Sequence, residues 1–91
     1  MAVTILLPNA LRPFAAFNDR VALDATTVAE ALKQLIERYP ELMAHVPSDP
    51  GAMPVGGGVY RGGMDIRRLQ GGATPLQRDD ILTLIVPSGD L

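Results

Sequence analysis

Cysteine is absent from this chain of 91 residues, which excludes disulfides, thiolate metal sites and a thiol nucleophile. Histidine occurs once, as His45 in a proline-bounded stretch; without a second histidine or a cysteine no zinc site is expected, and its default place is a solvated loop. Neither sign of charge dominates. Eight basic residues stand against ten acidic ones, a formal charge of -2 without the basic excess of a nucleic-acid binder. No apolar run approaches the roughly 20 residues of a membrane span, and Met1 to Leu7 contain neither a basic leader nor a signal-length apolar run. A soluble cytoplasmic protein is the simplest expectation. The pairs and triplets Gly56-Gly57-Gly58, Gly62-Gly63 and Gly71-Gly72 precede no lysine and never fall into Gly-x-Gly-x-x-Gly spacing, so turns and bulges explain them better than a phosphate loop.

What is present is an ordinary globular composition, 47% hydrophobic and 20% charged, in a length that suits one domain over residues 1–91. Such a chain buries little more than about 60% of the surface it exposes when unfolded. Val3, Ile5 and Leu7 alternate with Ala2, Thr4 and Leu6, which predicts a strand ended by Pro8. Arg20 to Asp24 predicts a second strand with Val21 and Leu23 on one side, and residues 8–19, rich in Pro and Asn, read as an irregular connection. Thr27 and Glu30 form a capping-box pair. Val28, Leu32, Leu35 and Ile36 recur at helical spacing, so a helix is expected to about Arg38, docking one apolar stripe on a sheet and stopped by Tyr39-Pro40.

Residues 41–54 read as one helical turn and then a loop carrying Pro47, Asp49, Pro50, Gly51 and Pro54, a poor place for a core. Residues 55–67 read as a hairpin, with Val59 before the Gly62-Gly63 turn and Ile66 after it. Thr74-Pro75-Leu76 is expected to start a short turn of helix, and Asp79-Asp80 to solvate the approach to a last strand at 81–86. In that strand Leu82 and Leu84 face the helix, while Ile81 and Ile85 are left for a partner. The whole is α+β, with one main helix packed across a small mixed sheet.

No constellation of residues supports catalysis. Asp79 and Asp80 lie side by side without a nucleophile nearby in sequence, and Arg61, Arg67, Arg68 and Arg78 read better as a solvated face than as an acidic-partner surface. The last five residues, Pro87-Ser88-Gly89-Asp90-Leu91, follow the apolar strand as a tail. Five extended residues reach roughly 16–18 Å, enough to enter another protein's pocket.

Val59-Tyr60, the Gly62-Gly63 turn, Asp65-Ile66-Arg67, Gly72, Thr74-Pro75-Leu76 and Asp80 leading into Leu82-Thr83-Leu84 form one pattern, joined by Val3-Thr4-Ile5 and Leu11-Arg12-Pro13. In these residues the sequence resembles the MoaD/ThiS sulfur-carrier family of ubiquitin-like β-grasp proteins, in particular its CysO-like branch, and the resemblance covers nearly the whole chain. It implies a β-grasp fold and a carried substrate, not an enzyme. It further implies a C-terminal carboxylate adenylated by an E1-like (MoeB/ThiF-like) enzyme, which uses the ATP, and then converted to a thiocarboxylate. The chain itself would need no cofactor or metal, and its acceptor would be a molybdopterin-synthase-like or cysteine-synthase-like enzyme. Ile81, Ile85, Pro87, Tyr60 and Arg67 are then the residues turned to the partner.

Members of that family end in Gly-Gly, which threads a narrow channel without steric obstruction. Here Asp90 and Leu91 occupy those positions, counted without gaps from Asp80. Two readings stand side by side. A metalloprotease removes Asp90-Leu91 and exposes Ser88-Gly89 as the acyl-carrier terminus, or the domain has lost activation and serves as an interaction or regulatory subunit.

Overall fold

A computed structural model of the chain describes residues 2–46 and 57–86. The expected alternation of the first strand is realised in β1 (Ala2–Leu6), where Val3 and Ile5 are buried, followed by a buried Leu7. β1 pairs antiparallel with β2 (Arg20–Asp24), Leu6 opposite Arg20 and Ala2 opposite Asp24, so that Val21 and Leu23 join Val3 and Ile5 on one face.

The connection between these strands is more regular than its prolines suggest. Asn9–Ala15 forms a 3-10 helix that buries Leu11 and Ala15. Pro13 fits inside it because the ring holds φ near the value a 3-10 turn requires. The Leu11 N–H donates to the Pro8 carbonyl at 3.0 Å, closing the first turn.

The helix α1 (Val28–Arg38) begins as the capping box requires. Its Glu30 N–H donates to Thr27 Oγ1 at 3.2 Å, while the Glu30 carboxylate reaches back one residue further than expected, to the Thr26 N–H at 3.3 Å. Val28, Ala31, Leu32, Leu35 and Ile36 are buried against the sheet. Two longer side chains tie α1 to the edge strand: Gln34 Nε2 donates to the Asp24 carbonyl at 2.6 Å and an Arg38 guanidinium nitrogen to the Ala22 carbonyl at 3.0 Å. After Tyr39 the expected single turn is a 3-10 helix, Pro40–Ala44. Leu42 and Val46 are buried in the core, so this stretch contributes to it; the loop from Pro47 to Pro54, expected to be a poor place for a core, lies outside the described residues.

β3 (Gly58–Arg61) and β4 (Met64–Asp65) make the hairpin around Gly62 and Gly63, whose φ values of 57° and 89° are the left-handed pair that a two-residue hairpin turn demands. The return strand is shorter than expected. Ile66 lies instead in a 3-10 turn, Ile66–Arg68, because the Asp65 side chain accepts the Arg67 N–H and diverts the backbone from the ladder. Thr74-Pro75-Leu76 is likewise not helical: the 3-10 turn precedes it at Gly71–Ala73, and Pro75 forms an antiparallel bridge with Thr27. The Thr74 carbonyl accepts the Val28 N–H at 3.2 Å, satisfying a first-turn donor of α1, and the Leu76 N–H donates to the Thr26 carbonyl at 2.8 Å.

β5 (Ile81–Ile85) takes the middle of the sheet, in the order β2-β1-β5-β3-β4, parallel to β1 and antiparallel to β3. Its Leu82 and Leu84 complete a core formed with Val3, Ile5, Val21, Leu23, Val59 and the apolar stripe of α1. Each such leucine contributes about 1.5–3 kcal/mol by leaving water. The result is a mixed five-stranded sheet with α1 packed across one face.

Candidate functional site

The other face of the sheet has no helix over it among the described residues. Side chains alternate along a strand and paired residues share a face, so the partners of β5 define this surface. Ile81 stands beside Thr4, Thr83 beside Leu6 and Tyr60, Ile85 beside Gly58, and Tyr60 beside Asp65. Ile81 is 48% and Ile85 40% exposed, while Leu82 and Leu84 between them are buried. The expectation that the isoleucines turn outward and the leucines toward the helix is met.

Arg67 and Asp65 border the apolar strip. The Arg67 guanidinium donates to Asp65 Oδ2 at 2.8 Å and to the Gly57 carbonyl at 3.4 Å, which folds the arginine back over β3. A Cβ placed on Gly58 would lie 3.5 Å from that guanidinium and 3.4 Å from the Tyr60 ring, so the missing side chain makes the room that Arg67 covers. Hydrogen bonds from the Arg67 side chain, then from its backbone N–H, hold the Asp65 carboxyl below its ordinary value, and the same carboxylate raises the pKa of Arg67. Tyr60 and Arg67 are thus brought together with Ile85. The sequence reading took Gly58 only as a turn or bulge glycine and Asp65 only as part of the Asp65-Ile66-Arg67 pattern, although an aspartate two residues before an arginine at a hairpin end is the signal of such a local pair.

The four arginines do not form one cluster. Arg61 turns toward the helix side and donates to the Pro75 carbonyl at 2.9 Å, Arg68 lines a shallow cleft with Tyr60, Gly63, Met64 and Asp65, and Arg78 lies exposed before β5. Asp79 and Asp80 serve the turn: the Asp80 carboxylate accepts the Gln77 N–H at 2.8 Å, and Asp79 has a left-handed φ of 68°. The His45 ring is exposed and stacks on Phe14, centroids 4.2 Å apart. Among the described residues no group of three or more His, Asp or Glu side chains is placed to hold a metal. No helix among them is long and apolar enough to cross a membrane. Pro87, Ser88, Gly89, Asp90 and Leu91, the expected tail residues, lie outside the described residues, which end at a half-buried Val86 packed on the core.

No known family profile and no curated protein sequence matches the chain. Solved structures do. CysO of Mycobacterium tuberculosis, described as an antigen, is 26% identical with a TM-score of 0.76, covering 90% of this chain and 94% of its own. Small archaeal modifier protein 1 of Methanosarcina acetivorans is 24% identical with a TM-score of 0.79, over 96% of this chain and 93% of that one. A chain in the BexX/CysO complex of Amycolatopsis orientalis is 22% identical with a TM-score of 0.80, over 96% and 98%. The latter two likenesses are ones of fold. The chain has the ubiquitin-like β-grasp fold, as the resemblance to the CysO-like branch implied, and CysO and small archaeal modifier proteins are among its structural neighbours.

Proposed function

We propose that this chain is a small sulfur carrier, docked through the open face of its sheet on an E1-like adenylating enzyme and activated at its C-terminus. The observation that carries the reading is the outward placement of Ile81 and Ile85 on β5, the strand that leads directly into residues 87–91. Ile81, Ile85, Tyr60 and Arg67 provide an apolar centre with a polar border, the composition of a protein-binding patch. Pro87 then starts the segment that enters the enzyme.

In this reading trimming of Asp90-Leu91 by a metalloprotease leaves the carboxylate on Gly89, with Ser88 before it. A carboxylate oxygen bonds to the α-phosphorus of ATP held by the enzyme, and pyrophosphate leaves. A hydrosulfide equivalent then attacks the acyl carbon, AMP leaves, and the chain ends in a thiocarboxylate for an acceptor enzyme of the molybdopterin-synthase or cysteine-synthase kind. All of the catalysis belongs to partners. Intact-mass measurement on protein from its native cells tests this: loss of the last two residues together with replacement of one oxygen by sulfur is expected, and a full-length, sulfur-free mass contradicts it.

One observation favours a second reading. Asp90 and Leu91 stand where a Gly-Gly end is needed, and a branched side chain beside an extra anion obstructs a channel that leads to phosphates. The domain is then a carrier-like interaction or regulatory subunit. Changing Asp90→Gly with Leu91→Gly separates the two: activation of the variant by an enzyme that leaves both the parent and its trimmed form untouched assigns the natural end as a block.

A further inference from the structure

Among the described residues no strand covers the outer side of β2 (Arg20–Asp24), a full five-residue edge. At the opposite end of the sheet β4 offers only two residues before the Asp65 side chain turns the backbone away. An uncovered edge is a template for another strand. The parity of the ladder decides which groups this one offers. Leu7 donates its N–H to the Asp19 carbonyl at 2.9 Å, and bonded pairs alternate along an antiparallel ladder, so Ile5 with Val21 and Val3 with Leu23 are the bonded pairs of β1 and β2. The backbone groups of Arg20, Ala22 and Asp24 therefore point away from β1.

Two of these outward carbonyls are already taken, and by side chains of the helix. Arg38 donates to the Ala22 carbonyl at 3.0 Å and Gln34 to the Asp24 carbonyl at 2.6 Å. Four helical residues rise about 6 Å and two strand residues about 6.8 Å, so donors four apart on α1 match acceptors two apart on β2. A shallow cleft bordered by Ala2, Ala22, Leu23, Asp24 and Arg38 lies along the same edge.

The edge is also self-complementary. Set antiparallel to a second copy of itself and centred on Ala22, β2 places Arg20 opposite the other copy's aspartate at position 24, twice over, with the side chains of Arg20, Ala22 and Asp24 exposed on one face. Opposite charges directly across a strand pair attract. A shift of two residues leaves neither charge opposite its counterpart, and a shift of four sets like charges against each other. In the single chain Arg20 makes only a loose 3.8 Å contact with the exposed Asp19.

We infer that β2 is a self-pairing edge for a second copy of this chain, and that Gln34 and Arg38 hold it shut. Pairing uses the Ala22 and Asp24 carbonyls, so both side chains have to swing away on each copy first. The two-fold axis of such a pair stands perpendicular to the sheet, which joins the two sheets edge to edge with both helices on one side and both open faces on the other. Neither Ile81 nor Ile85 is covered by it, and the inference does not depend on the carrier reading.

Sedimentation equilibrium over a concentration series, on the full chain and on the chain carrying Gln34→Ala with Arg38→Ala, tests this. Alanine keeps α1 a favourable helix. The double variant is expected to dimerise with a Kd at least about tenfold below that of the parent. Amide exchange should show the Ala22 N–H newly protected in the dimer. Within the double variant Arg20→Asp should weaken pairing, and Arg20→Asp with Asp24→Arg should restore it. Ala22→Pro, which removes an outward N–H that the ladder to β1 does not use, should abolish it. Gln34→Met with Arg38→Met, which keeps the stems on the sheet without the donors, is read by the same criteria if the alanine pair disturbs the fold. No gain in self-association by a folded variant overturns the inference, as does a dimer that survives Ala22→Pro or leaves the Ala22 amide unprotected.

Discussion

Arg67 encloses the carboxylate of Asp65: its Nε lies 3.2 Å and 3.1 Å from the two oxygens, its Nη2 2.8 Å from Oδ2, and its backbone N–H donates to Oδ1 at 2.9 Å. These bonds act on the charged form and lower the pKa of Asp65 from its ordinary 3.8. A group with a folded-state pKa below the unfolded one stabilises fully above the unfolded value, and that stabilisation disappears as pH falls through the folded value. Asp65→Asn is therefore expected to lower Tm at neutral pH and to flatten the Tm profile between about pH 2 and pH 5. Thermal melts across that range check this, and a profile parallel to the parent's contradicts it.

Gly58 sets the position of that arginine. An added methyl meets the Tyr60 ring at 3.4 Å and the guanidinium at 3.5 Å, which Gly58→Ala can accommodate. The branched side chain of Gly58→Val has to displace Arg67. Carboxyl titration by NMR should then find the Asp65 pKa returned toward 3.8 in the valine variant and still lowered in the alanine variant.

Adjacent residues of β5 should respond in opposite ways. Leu82 is fully buried and Ile81 is 48% exposed. Leu82→Ala is expected to cost about 2–5 kcal/mol in urea unfolding, from lost burial and the cavity left behind. Ile81→Ser should stay within about 1 kcal/mol of the parent while, on the proposed carrier reading, weakening binding to an E1-like enzyme. Equal losses of stability would contradict the assignment of the two faces.

Removal of the N-cap hydroxyl by Thr27→Ala should cost about 1 kcal/mol, since it leaves the Glu30 N–H without its acceptor. Thr27→Ser should restore most of that stability, and denaturant unfolding of the pair measures it.

What could be read in the sequence follows from how local each cause is. β1 and β2 announce themselves through period-two alternation, α1 through a capping box with a helical stripe and β5 as an apolar run, in which the outward face of Ile81 and Ile85 follows from strand parity. The Asn9–Ala15 helix was hidden because Pro8 and Pro13 signal a break in sequence, although a tight 3-10 turn accepts both. Thr74-Pro75-Leu76 was misread because its partners, Thr26 to Val28, are remote in the chain and leave no local pattern. Within the candidate site, Tyr60 and Arg67 lie beside Gly58, which matters for an absent side chain that only the packing around it reveals.

β5 follows every other strand in the chain yet lies at the centre of the sheet. Until residues 81–85 are available, the β1–β2 hairpin and the β3–β4 hairpin have no strand between them, and Leu82 and Leu84 are missing from the core. Consolidation of the fold therefore waits for the last strand, and loop closure over most of the chain comes before the contacts that reward it. A nascent chain, or one clipped before β5, would present two unfinished hairpins with open edges, a species for chaperones and proteases.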